Sequence, residues 1–121
     1  MSFAADRLYV SNYLDGSIDV FPLAPDGAIG ELLQTLGAIG SGPNPGQDCP
    51  HAHSTPVLHS ALREPTVLSA DLGADRVHVH LADRSLEGAA LVRTETIALP
   101  PSTGPRDLLH HQGRVILLGE L

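Results

Sequence analysis

Along most of the chain apolar and polar residues alternate one by one or gather in short apolar blocks, and no segment has the three-to-four spacing of an amphipathic helix. These runs predict strands at about residues 7–12, 17–23, 31–37, 53–59, 66–71, 76–82, 91–98, 105–111 and 114–119. Gly and Pro punctuate the intervals: "APDGAIG", "GSGPNPGQDCP", "LPPSTGP" and "HHQGR" suit turns and loops. The stretch "GAIGSGPNPGQDCP" has the composition of a linker between domains, yet its near-match in "PPSTGP" makes it a recurring connection between similar units.

The strands repeat. "YVSNYLDGSIDVFPL" (Tyr9 to Leu23) resembles "VLSADLGADRVHVHL" (Val67 to Leu81) at an offset of 67 − 9 = 58, each an apolar strand, an Asp/Gly turn and a second alternating strand. Pro50, before two histidines, and Pro105, before Arg106, recur at 105 − 50 = 55. The terminal "VILLGEL" again has the look of "TVLSADL". A repeat near 50 residues made of four strands is the signature of β-propeller blades. The expected fold is therefore all-β, an incomplete propeller: residues 7–39 as three strands of one blade, 50–98 as a complete blade and 105–121 as the start of another. About two and a quarter blades cannot close a ring of 4 to 8, so sheet edges stay bare. The chain reads as part of a larger protein, and alone it is expected to self-associate through those edges.

Composition narrows the partners. The chain of 121 residues has a formal charge of −7, which argues against a nucleic-acid backbone, and aromatics make up only 3%, so Leu, Val, Ile and Ala must build the core. A single cysteine excludes an internal disulfide, and no stretch approaches the roughly 20 apolar residues that span a bilayer. The start "MSFAADRLYVSN" lacks a basic segment followed by an apolar run, so the expected compartment is cytoplasmic, with no membrane partner.

Two hairpins bring polar residues together. With a turn at Gln112 and Gly113, positions summing to about 225 face each other, which sets Arg106 almost opposite Glu120. With a turn near Leu62, positions summing to about 124 are opposed, which sets His53 against Asp71. Both pairs fall at the open ends of their hairpins, on one rim.

"GPNPGQDCPHAHS", "SADLGADRVHVH", "GPRDL" and "GEL", in that order, resemble the seven-bladed β-propeller lactonase family, which includes 6-phosphogluconolactonases and the related carboxymuconate cycloisomerases. The resemblance runs from "LYVSNYLDGSIDVFPL" to the last residue, about a middle third of a family member of about 350 residues. It implies a functional histidine at His53, arginine at Arg106 and glutamate at Glu120, with His51, Asp71 and Arg106 as the expected substrate-binding set. The chain departs from the family at Asp107, where His is common, and at Gly119, where Asn is common. The hairpin between Arg106 and Glu120 is about two residues shorter, and "LHSALREP" replaces a Ser-Pro-Asp-Gly turn. The implied activity is hydrolysis of a sugar-acid lactone such as 6-phosphogluconolactone, a step of carbohydrate metabolism by the pentose phosphate route. A muconate-type cycloisomerase, or a non-catalytic truncated propeller acting as a binding module, are the alternatives.

The chemistry fits. His53 suits proton transfer from water at neutral pH, Arg106 presents a planar charged fork for an anion or an oxyanion, and Glu120 can orient that fork or act as a second proton carrier, so the expected catalytic set is His53, Arg106 and Glu120. Asp71 could fix the imidazole tautomer. Each has a plainer reading: an Arg–Glu cross-strand ion pair, a strand-edge histidine, and an Asp-Leu-Gly turn former. Cys49, His51 and His53 alternate and could share a strand face with a metal, but Pro50 breaks the regularity and no second ligand cluster follows. No metal or cofactor is expected, and Cys49 reads as a passive thiol. His78 and His80 read as decoration of an exposed strand face, and His110 and His111 as solvated residues before a turn.

Overall fold

A computed structural model describes residues 1–4, 6–83 and 91–121. The first sheet holds β1 (Ser2–Ala4), β2 (Arg7–Ser11), β3 (Ile18–Pro22) and β4 (Gln34–Leu36), antiparallel and in chain order. Between β2 and β3 the Asp15 carboxylate accepts both the backbone N–H (2.9 Å) and the hydroxyl (2.7 Å) of Ser17. Gly16 supplies the left-handed φ of +72° that closes this turn.

The second sheet runs β5 (Ala52–Ser54) and β6 (Val57–Leu58), both paired with β7 (Thr66–Asp71), then β8 (Arg76–Ala82) and β9 (Leu91–Ala98). The single strand predicted over 53–59 divides around Pro56, which has no N–H to give to a ladder. A final hairpin joins β10 (Pro105–His111) to β11 (Arg114–Gly119) through Gln112 and Gly113, at φ +48° and +73°. Two successive left-handed residues make the tight turn that matches strand twist.

The sheets pack face to face in chain order, as neighbouring propeller blades do. Tyr9, Ile18 and Val20 of the first sheet meet Ala52, Val67, Ala82 and Leu91 of the second. On its other face Leu68, Ala70 and Val77 meet Leu108 and Leu117 of the hairpin. Burying one such aliphatic side chain contributes about 1.5–3 kcal/mol, so the second sheet is the stabilising layer between its neighbours.

Two expectations need correction. The first sheet has four strands, because Ser2–Ala4 adds β1 ahead of the three predicted. His78 and His80 are not surface decoration: they are buried, His80 fully, because their face of β8 lies under the first sheet. A neutral imidazole can be buried where a hydrogen bond satisfies one of its ring nitrogens. His80 Nε2 pairs with the Ser69 hydroxyl at 2.9 Å and His78 Nδ1 with the Thr96 hydroxyl at 2.9 Å. His110 and His111 are exposed, as expected. Residues 84–90 of the expected 50–98 blade lie outside the described residues.

A pH dependence follows. Burial, assisted by the charges of Arg93 and His78, pushes His80 down to about 3 from its ordinary 6.5. The unfolded chain takes up a proton that the folded chain refuses, so stability is fully present above about pH 6.5 and falls as pH drops from there toward about 3. Urea unfolding of the full-length parent should show this decline, and His80→Asn should flatten it. A profile unchanged by that substitution would contradict the burial argument.

Candidate functional site

Two β-bulges build the site. Along β5 and β7, Ala52 pairs with Asp71 and Ser54 with Ala70, which leaves His53 without a partner on β7. Along β10 and β11, Pro105 pairs with Gly119 and Asp107 with Leu118, which leaves Arg106 similarly extra. A bulged residue is turned out of the regular alternation and its side chain is re-aimed. Both bulges aim into one cleft of about 390 Å³, lined by His53, Ser54 and Thr55 on one side and by Arg106 and Asp107 on the other, with Ser2 at the margin.

Local bonds hold each group. The His53 carbonyl accepts the Ser11 hydroxyl at 3.2 Å, and the His53 ring meets Tyr13 edge-on with centroids 5.7 Å apart. The Ser2 hydroxyl donates to the Thr55 carbonyl, tying β1 to the cleft wall. Arg106 Nη1 lies 3.0 Å from Glu120 Oε2, the pairing that the hairpin register predicts. Both side chains are about half exposed, 49% and 41%, so the pair adds little stability and stays open to an incoming anion. Glu120 is fixed through its N–H to the Gly104 carbonyl at 2.9 Å. Gly119 has its own reason: an ideal Cβ there would stand 2.5 Å from the Thr103 carbonyl oxygen, so a larger residue would push the Glu120 end of the strand away.

Asp71 does not meet His53. It is buried, and its Oδ1 accepts the N–H groups of His51 (2.9 Å) and Ala74 (3.1 Å), while Oδ2 faces His78 Nε2 at 3.6 Å. Burial alone would raise its carboxyl, but the His78 interaction and the two N–H donors outweigh it and hold it below the usual range. The bulge at His53 shifts the pairing by one residue, and the carboxylate becomes a brace for β5. His51 is also buried, with its ring stacked on Tyr13 at 4.5 Å and its Nδ1 2.7 Å from the Tyr13 carbonyl oxygen. Neither His51 nor Asp71 lines the cleft that holds His53 and Arg106.

Asp75, read from sequence only as part of a turn, is the missing organiser. Its carboxylate accepts the Gln47 side-chain amide (2.8 Å) and the N–H groups of Ser102 (2.8 Å) and Gly104 (2.7 Å). The two Gly/Pro-rich connections, one leading to His53 and one to Arg106, thus dock on a single carboxylate. The signal was present in their similarity and in the matched offset of Pro50 and Pro105.

Among the described residues no helix is long and apolar enough to cross a membrane. A 6-phosphogluconolactonase of Bacillus subtilis is 28% identical over 101 residues, covering 84% of this chain and 27% of that protein. One of Formosa agariphila is 31% identical over 107 residues, covering 87% and 30%. The solved structure of the periplasmic gluconolactonase of Pseudomonas aeruginosa superposes with a TM-score of 0.84 at 31% identity, over 96% of this chain and 33% of that one. The match thus covers between about a quarter and a third of the length of each. The sequence profile described as "Lactonase, 7-bladed beta-propeller" matches residues 2–121. With sheets that follow one another as blades and a match over nearly its whole length, this chain belongs to the seven-bladed β-propeller lactonase family.

Proposed function

We propose that the full-length protein carrying this segment hydrolyses the lactone of a sugar acid, with 6-phosphogluconolactone as the first substrate to test. The carrying observation is that the two bulged residues, His53 and Arg106, line one cleft with Glu120 paired to the arginine. The names of the two 6-phosphogluconolactonase relatives support the reading.

In this mechanism His53 accepts a proton from water as the water oxygen attacks the lactone carbonyl. Negative charge develops on the carbonyl oxygen, where the Arg106 guanidinium neutralises it. Glu120 is a positioning residue that sets the plane of the fork. As the tetrahedral intermediate collapses, the ring C–O bond breaks and His53 returns its proton to the departing alkoxide, leaving an open-chain hydroxy acid. Asp107 places a carboxylate beside Arg106, so comparing lactones with and without a phosphate reads out how much anionic charge the cleft tolerates. The full-length parent should release acid from one of these lactones well above the spontaneous rate. Conversion of a muconolactone instead would favour the cycloisomerase, and no turnover of either would favour a binding module.

We place the protein in the cytoplasm on this reading; the Pseudomonas relative is named periplasmic, so fractionation of cells making the full-length parent is the check. The 121-residue form should associate with itself. Leu109, Ile116 and Leu118 of the last hairpin are exposed, and β11 has no further strand beside it among the described residues. Open apolar edges of this kind recruit other chains. Light scattering should report oligomers, and a monodisperse monomer would contradict the account.

A further inference from the structure

The connection that leads into β5 carries a second constellation, separate from the cleft. Asp48, Cys49 and His51 bring one oxygen, one sulfur and one nitrogen donor within 4.8 Å of one another. His53, which alternation had grouped with Cys49 and His51, is not among them.

The imidazole of His51 is aimed at this group. It is buried, with only 9% of the residue exposed, and its ring is clamped by the Tyr13 stack. Nδ1 lies 2.7 Å from the Tyr13 carbonyl oxygen, which can only accept, so Nδ1 carries the hydrogen. In the neutral ring Nε2 therefore presents its lone pair to Asp48 Oδ1 at 3.4 Å and Cys49 Sγ at 3.8 Å. A cation bound among these three atoms would take the place of the Cys49 thiol proton, which can otherwise be shared with Nε2. An Nδ1–H bonded to a backbone carbonyl is also the support that orients histidines which ligate metals.

The separations from His51 Nε2 suit tetrahedral coordination. With bonds of about 2.0 Å to oxygen or nitrogen and about 2.3 Å to sulfur, a tetrahedral zinc holds its donors about 3.3 Å (N to O) and about 3.6 Å (N to S) apart. The two separations from His51 Nε2 lie within a few tenths of an ångström of these values. The backbone is set in advance. Pro50 is pressed against Gly16, the Cys49 carbonyl against Gly73, and the His51 carbonyl accepts the Leu72 N–H at 2.9 Å.

We propose that Asp48 Oδ1, Cys49 Sγ and His51 Nε2 bind a divalent cation of the zinc class, with water as the fourth ligand. Binding displaces the Cys49 thiol proton to solvent, with no change of oxidation state. The ion pins the long connection to the start of β5, two residues before His53.

Cobalt(II) is the probe, added to the full chain after chelation. In the 121-residue chain Cys49 is the only cysteine, so in this form a thiolate-to-cobalt charge-transfer band reports this site alone. One equivalent should give that band with the intense visible absorption of tetrahedral cobalt. Cys49→Ser should remove the band, and Asp48→Asn, at an exposed position, should weaken binding by about tenfold or more. Substituting His110 and His111 by Ala should change nothing. Because His51→Ala also loses the Tyr13 stack, a second measurement uses the unmodified chain: zinc should slow alkylation of Cys49 by at least about tenfold. Absence of the band, a band untouched by Asp48→Asn, or an alkylation rate unaffected by zinc would each overturn the site.

Discussion

Arg106→Ala in the full-length parent should lower kcat/KM for the proposed lactone hydrolysis by about 10²–10³-fold, the range for removing one group that stabilises a developing oxyanion. Stability should hardly move, because the guanidinium and Glu120 form a half-exposed ion pair worth at most about 1 kcal/mol. The combination separates chemistry from structure. A plain cross-strand ion pair would leave turnover intact, while a structural arginine would lower the unfolding midpoint. Arg106→Lys should recover only part of the loss, since a point charge lacks the planar fork that Glu120 holds in place. Steady-state kinetics and thermal unfolding of the same preparations provide the check.

Gly73→Ala has the largest effect expected on stability. A Cβ at this position would overlap the Cys49 carbonyl oxygen and stand 2.9 Å from Cδ2 of the His51 ring. Backbone cannot yield as a flexible side chain can, so the connection and β7 must separate, breaking the Leu72 N–H to His51 carbonyl bond. The cost should reach about 3 kcal/mol or more, the upper part of the range for overpacking. Activity should fall with it, because β5 carries His53. Gly37→Ala is the control: nothing lies within 4 Å of its Cβ position, and a change within about ±0.5 kcal/mol is expected. Denaturant unfolding of both variants decides, and equal midpoints would show that the approach at Gly73 is not tight.

Much of this architecture was legible because the chain writes it in alternation. Every strand from β7 to β11 falls where the pattern put it, since each is long enough for the period to repeat. β1 is three residues with an exposed Phe3, too short to carry a period, and it forms only because β2 offers an edge. The alternation of "RVHVHL" misled for a physical reason. A strand with one wet face and a strand with both faces covered give the same pattern when the second buries histidines against Ser69 and Thr96. Register counting placed Arg106 by Glu120 because the turn at 112–113 is tight and the offset accumulates over a short hairpin. Both hairpins carry a bulge that no composition signal marks: the long Arg106 and Glu120 side chains still meet across theirs, whereas the other sets the short, buried Asp71 opposite Ala52 and away from His53. Asp75 was hidden in a turn, although the connections it gathers were visible as repeats.

Whether an imidazole and a guanidinium converge on one bound molecule can be seen directly. A crystal structure of the full-length parent with the hydrolysis product, an open-chain sugar acid, should place the product carboxylate within hydrogen-bond distance of Arg106 and its hydroxyls against His53. A product bound away from these two side chains, or His53 and Arg106 found on opposite ends of the ring, would contradict the account.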